Sequence, residues 1–344
     1  MNLRISEPNI ENMYKVFRRE PVSPTPLFEL FMDLPIYEYF VGRKYDGKDE
    51  LDELKFVVEA FYNAGCDYAT THASNFGFPM KEADHEGHKG ATISLNDGNT
   101  ITDWESFEAY EWPDPRDFDC SKLEKIRDYL PEGMKLAVMG PGGVLENVTA
   151  LVGYDNLCYM LADDPELLQC IFDKVGQALV TYYENIVDYD TVGFLISNDD
   201  WGFNTQTFLS VPDMRKYVFP WHKKIAEVAH RKGKPIVLHS CGYMMDVMDD
   251  IIDDMKYDAK HSFEDNIFSV ENSYRKWGDR IAILGGFDLQ YLHSSSKEEI
   301  YERCRKLLEL TKEKGGYAVG TGNSMAYYID PEKYVAMIEA RKNF

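Results

Sequence analysis

The strongest constraint on what this chain can fold into is a long alternation. Short apolar runs at 26–33, 66–72, 135–139, 191–197, 235–239, 257–262, 280–284 and 316–319 are separated by stretches with helical periodicity. Those stretches cover 51–63, 120–129, 145–160, 165–187, 212–232, 243–255, 270–277, 297–314 and 331–342. Brief apolar runs flanked by Gly, Pro, Asn and Asp read as buried strands, and the longer periodic stretches read as amphipathic helices. Eight strands alternating with helices have one simple closed solution, a TIM-type (β/α)8 barrel. The expectation is therefore an α/β fold, one barrel domain over 1–344, with an N-terminal helical segment before the first strand. The length of 344 residues suits a single barrel. Residues 80–115 break the rhythm. They predict an insertion near the barrel mouth, with a hairpin of 91–95 and 100–103 around Asn96-Asp97-Gly98 and a turn at Trp112-Pro113-Asp114-Pro115.

Charge narrows the partners. A net charge of −22 repels nucleic-acid backbones and anionic membrane surfaces. The six cysteines are scattered, with no CxxC and no disulfide-framework spacing, which suits a reducing compartment. The N-terminus lacks the apolar core of a signal peptide, and no apolar run approaches a membrane span. A cytoplasmic protein, free or as a homodimer, is the expectation.

In such a barrel chemistry gathers at the carboxyl ends of the strands. The eight expected ends offer Glu29 and Asp33; His72; the loop to Glu146; Asn198, Asp199, Asp200 and Trp201; His239 and Cys241; His261, Glu264 and Asp265; Asp288; and Thr321 and Asn323. A barrel needing only stability has no use for so polar a rim, although some of these acids will cap the helices that follow.

His239 and Cys241 alternate at a strand end and so face one space. With eight His and six Cys, roughly 0.14 such pairs arise by chance, so the spacing alone is weak and its placement adds the weight. The bland alternative is a buried structural cysteine beside a hydrogen-bonded histidine. A thiolate with an imidazole favours zinc, and a catalytic zinc takes three protein ligands and keeps an open position. In Asn198-Asp199-Asp200, the bland reading has Asp200 capping a turn while Asp199 faces the mouth. An inward carboxylate there is a general acid, a substrate anchor or a partner orienting His239. His72 and His261 are either satisfied core histidines or site residues. For His261 we expect the mouth, where an imidazole exchanges protons near neutral pH. Asp199, Asp200 and His261 are thus the expected catalytic groups. Glu29, His72, Asn198, Trp201 and Asn323 are the expected substrate contacts.

Several ordered motifs together resemble the uroporphyrinogen decarboxylase superfamily. They are Asp199-Asp200-Trp201-Gly202, Leu238-His239-Ser240-Cys241-Gly242, Lys260 to Asp265, Gly285-Gly286-Phe287-Asp288, and Gly320-Thr321-Gly322-Asn323 before Asp330-Pro331. The resemblance implies a TIM barrel. Its corrinoid methyltransferase branch implies zinc on a His-x-Cys pair, matched by His239 and Cys241, and on a further cysteine at the eighth strand. The sequence departs there, since 320–323 has no cysteine, which argues against thiol activation. Glu146 is our expected third ligand. The implied function is zinc-dependent transfer of a methyl group between a small methylated substrate, a methoxylated aromatic or methylamine, and a corrinoid carried by a partner protein. The decarboxylase branch grips substrate carboxylates with N-terminal arginines, and 26–33 has none. A decarboxylase-type lyase and a non-catalytic corrinoid- or zinc-binding partner are the alternatives.

Overall fold

The structure, a computed structural model, describes residues 2–81, 99–342 and 344. Seven strands form one sheet in chain order: β1 (Tyr68–His72), β2 (Lys135–Met139), β3 (Val192–Asn198), β4 (Ile236–His239), β5 (Ala259–His261), β6 (Ala282–Leu284) and β7 (Tyr317–Ala318). Every adjacent pair is parallel. Phe194, Leu195 and Ile196 in β3 and Ile236, Val237 and Leu238 in β4 are all buried. A parallel sheet covered on both faces needs such continuous apolar runs, which is why the strands were visible as runs and not as alternations.

The strand expected at 26–33 forms no ladder. Its residues make isolated parallel bridges, Leu27 to Val319 and Met32 to Met325, and the Phe28 N–H donates to the Val319 carbonyl at 2.7 Å. On its other side, side chains of β1 satisfy the Glu29 backbone. Tyr68 Oη accepts from Glu29 N at 2.8 Å, and Thr70 Oγ1 donates to Glu29 O at 3.2 Å. The segment thus lies between both edge strands and joins them, with hydroxyls replacing part of a ladder. The sheet is a curled, all-parallel one with seven strands among the described residues, where we expected eight.

Helix Glu11–Phe17 precedes the sheet, and Pro165–Ile186 is the longest helix among the described residues. The helix expected over 145–160 is two, Val144–Val152 and Tyr154–Asp163, parted at Gly153 with φ 81°. Only glycine adopts that left-handed conformation without steric cost. The stretch 243–255 reduces to turns and a π-helical segment, Asp250–Asp254. Of the expected hairpin, 91–98 lies outside the described residues, and 100–103 is irregular, leading into helix Trp104–Ala109. No helix among the described residues is long and apolar enough to cross a membrane.

Inside the curl, Tyr68 meets Phe194 edge-on at 4.9 Å, and Phe28 lies 5.0 Å from the His261 ring. Burying each such aromatic contributes roughly 1.5–3 kcal/mol. They make an apolar floor beneath the strand ends.

Candidate metal centre

Register sets the site. Asn198 of β3 pairs with His239 of β4, and His239 pairs with His261 of β5, so one line of paired residues crosses the ends of three strands. His261 Nε2 lies 2.9 Å from the Thr321 carbonyl, and its Nδ1 lies 2.9 Å from Nδ1 of His239. A carbonyl only accepts, so His261 carries its proton on Nε2. Burial pushes its pKa down to about 3, leaving the ring neutral. Its bare Nδ1 therefore accepts from His239 Nδ1–H. His239, with its basicity lowered by burial and by the neighbouring His261 and Lys260, is left with an unprotonated Nε2.

That nitrogen faces Cys241 Sγ at 3.8 Å. Asp200 completes the group, its Oδ1 accepting from Cys241 N at 3.1 Å. A carboxylate oxygen of Asp200, a ring nitrogen of His239 and the Cys241 sulfur all lie within 4.8 Å of one another. Two ligands on a tetrahedral zinc, with bonds of about 2.0 Å to nitrogen and 2.3 Å to sulfur, sit about 3.5 Å apart, close to the separation here. Burial, then the Asp200 charge, push the Cys241 thiol above its ordinary range. A cation among these three atoms reverses that preference and deprotonates the sulfur. The residues present therefore fit a divalent zinc-type ion.

The surroundings hold this set in place. Asn323 Nδ2 donates to Cys241 Sγ at 3.4 Å. Lys260, buried, donates from Nζ to the carbonyls of Ser240 at 3.2 Å and Ser262 at 2.7 Å, tying together the turns after β4 and β5. Burial lowers its pKa to about 8, against the pull of Cys241, Glu264 and Asp200. Asn323 also lines a cavity of about 550 Å³ with Phe263, Glu264, Asp288 and Tyr291. Asn323 thus links the donor set, through Cys241 Sγ, to a space large enough for a small substrate.

Asp199 and Glu146 lie elsewhere than expected. Asp199 is fully buried, its Oδ2 accepting from Leu145 N and from His222 Nε2, each at 2.9 Å, and its Oδ1 from Glu146 N at 2.9 Å. It caps helix Val144–Val152 from the end of the neighbouring strand β3, because the residue at the helix's own cap position, Gly143, has no side chain. A Cβ on Gly143 would stand 2.1 Å from Asp199 Cγ, so the carboxylate needs glycine there. Glu146 Oε2 accepts from Gly143 N at 2.8 Å and from Asn198 Nδ2 at 3.2 Å. Burial, then the charges of Asp199 and Asp200, raise its pKa, and it is not among the three clustered donors. The third donor position expected of Glu146 falls to Asp200, and the inward position expected of Asp199 does too.

Two expected substrate contacts, Trp201 and Glu29, and the expected catalytic His261 are buried and do not line that cavity. Trp201 is fully buried, edge-on to His222 at 4.9 Å and tilted on Phe219 at 5.1 Å. Glu29 is fully buried with both oxygens on Thr321. His261 is fully buried with both nitrogens engaged, one by His239 and one by the Thr321 carbonyl. His72 stacks on Phe31 at 5.1 Å and borders a different cavity of about 550 Å³ with Asp33, Tyr37 and Lys122. His222, Lys260 and Thr321 were not singled out as site residues. Of these, His222 had no signal beyond ordinary helical burial.

The structure is similar over its whole length to a methyltransferase from Methanosarcina mazei, with 16% sequence identity, 98% of this chain and 99% of that chain covered, and a TM-score of 0.69. It overlaps more loosely with an intracellular xylanase from Thermoanaerobacterium saccharolyticum, with 13% identity, coverage of 90% and 88%, and a TM-score of 0.42. No curated protein sequence matches the chain significantly. The uroporphyrinogen decarboxylase (URO-D) profile matches residues 90–344, a stretch holding Asp200, His239, Cys241, His261 and Asn323, and the chain therefore belongs to the uroporphyrinogen decarboxylase family.

Proposed function

We propose that this protein is a zinc-dependent methyltransferase that moves a methyl group between a small methylated substrate, of methoxylated-aromatic or methylamine type, and a corrinoid carried by a partner protein. The observation that carries the reading is the convergence of Asp200, His239 and Cys241 at the strand ends, with Asn323 bonding Cys241 on one side and lining a cavity on the other. The whole-length likeness to a methyltransferase supports the same branch of the family. Zinc bound by those three residues supplies a Lewis acid for the heteroatom that bears the methyl group.

The chain's own residues do the rest. His261 presents the bare Nε2 of His239, and Asn323 stabilises the Cys241 sulfur as an anion with an N–H donor. Glu264, Asp288 and Tyr291 wall the cavity and favour a neutral or cationic ligand. That wall, with no arginine in 26–33, disfavours a polycarboxylate and hence the decarboxylase-type lyase. The test is anaerobic spectroscopy with a reduced corrinoid protein and a panel of methoxylated aromatics and methylamines. Methylation of cobalt is the expected result. Turnover of a tetrapyrrole carboxylate instead assigns the lyase, and metal binding with no turnover of either kind assigns a non-catalytic partner.

A further inference from the structure

We propose that Glu29 is a neutral carboxylic acid at physiological pH and acts as a positioning residue, locking the 320–323 loop against the metal centre. The inference rests on reading Asp200, His239 and Cys241 as that centre. Glu29 Oε1 accepts from Thr321 N at 2.9 Å, and its Oε2 lies 2.6 Å from Thr321 Oγ1. The same Thr321 hydroxyl also bonds the Asn323 carbonyl. A hydroxyl has one proton and a carbonyl none to give, so Thr321 donates to Asn323 O. The proton between Thr321 Oγ1 and Glu29 Oε2 must then come from Glu29. Burial acts in the same direction, pushing this carboxyl up to about 8 against the hydrogen bonds of Thr321 and Tyr334.

The groups nearest to Glu29 bring no compensating charge. Tyr37, Cys66, Tyr68, Tyr317 and Tyr334 are all kept in their neutral forms by burial. Arg341, near Cys66, donates to the carbonyls of Thr25 and Gly65. An ionised Glu29 would draw the Thr321 proton to itself and leave the Asn323 carbonyl without its donor. Both ends of this short loop serve the centre: the Thr321 carbonyl fixes the His261 tautomer, and the Asn323 amide reaches Cys241 Sγ. Where the second thiolate, the third ligand, would sit in the resembled methyltransferase branch, this chain has a hydrogen-bonding loop keyed by a buried acid.

The experiment pairs infrared difference spectroscopy with cobalt(II) binding on the full chain, comparing wild type with Glu29→Gln and Glu29→Ala. A protonated-carboxyl band is expected in the wild type at pH 6, disappearing in Glu29→Gln and titrating away near pH 8. Glutamine keeps an acceptor for Thr321 N and a donor for Thr321 Oγ1, so Glu29→Gln should hold cobalt as the wild type does. Glu29→Ala should weaken cobalt by about 10–100-fold, the range for an outer-shell partner. A missing band, or a Glu29→Gln variant as impaired as Glu29→Ala, overturns the proposal. If no form binds cobalt, the metal reading falls, while the infrared band still decides the protonation of Glu29.

Discussion

Two buried histidine clusters stand side by side at the end of β3 and β4, and they differ in one respect. Around His222, Nε2 meets Asp199 at 2.9 Å, and Nδ1 meets Tyr257 Oη at 2.8 Å and Ser197 Oγ at 3.2 Å, so the protein itself fills both nitrogens. Around His239, only Nδ1 has such a partner. Its Nε2 faces a sulfur at 3.8 Å and a half-buried carboxylate. A closed cluster stabilises the fold, because each buried polar atom is satisfied. An open cluster leaves a lone pair beside two further donors, at a cost in stability that a cation offsets.

Breaking the open cluster should give the largest effect. Cys241→Ala is expected to abolish binding of about one zinc per chain, a loss well beyond the ~10–100-fold of an outer-shell change, measured by metal analysis after dialysis. Full retention of zinc would remove the centre. Breaking the closed cluster should act on stability. Asp199→Ala leaves His222 and the start of helix Val144–Val152 without their acceptor, and about 3–5 kcal/mol should disappear from urea unfolding, the cost of halving a buried pair. Should Asp199→Ala empty the metal site while leaving the unfolding midpoint alone, the two clusters have been interchanged.

A smaller effect separates a ligand's partner from a ligand. His261→Ala should weaken zinc by about 10–100-fold and leave some binding, because it loosens His239 without removing a donor. Glu146→Gln should move metal affinity least, since the amide still accepts from Gly143 N; a collapse in affinity would make Glu146 a ligand after all. Acidity gives the finest test. Glu29 has a folded-state pKa raised to about 8 from an ordinary 4.5, so its contribution to stability is complete below pH 4.5 and is lost as pH rises towards 8. Unfolding free energy should decline over that window, and Glu29→Gln should flatten the decline.

The sequence made some of this legible for physical reasons. Strands buried on both faces print as apolar runs, so seven of eight were readable, while 26–33 printed the same run yet bonds partly through Tyr68 and Thr70 hydroxyls. His239 and Cys241 were readable because strand geometry fixes their common face. The choice between Asp199 and Asp200 was not, since it depends on how the turn after β3 meets a helix 50 residues earlier. Glu146 had its cue: a glutamate three residues into a helix commonly turns back to cap it, and a Gly at the cap position calls for help from elsewhere. His222 sits on helix Phe219–Arg231 at a core position, where burial alone explains a histidine and nothing local announces Asp199.

The pairing of His239 with His261 also bears on when the centre comes into being during folding. The imidazole orientation depends on two strands being zipped to their last rung, and the third donor arrives from β3, 39 residues before His239. Before that rung closes, the His-x-Cys fragment is a weak, flexible chelator. Tight capture is thus an end-stage event: on a ribosome it waits until residue 261 and then the 320–323 loop that fixes its tautomer have emerged, and in a refolding mixture containing cobalt(II) the colour should lag behind the recovery of the sheet.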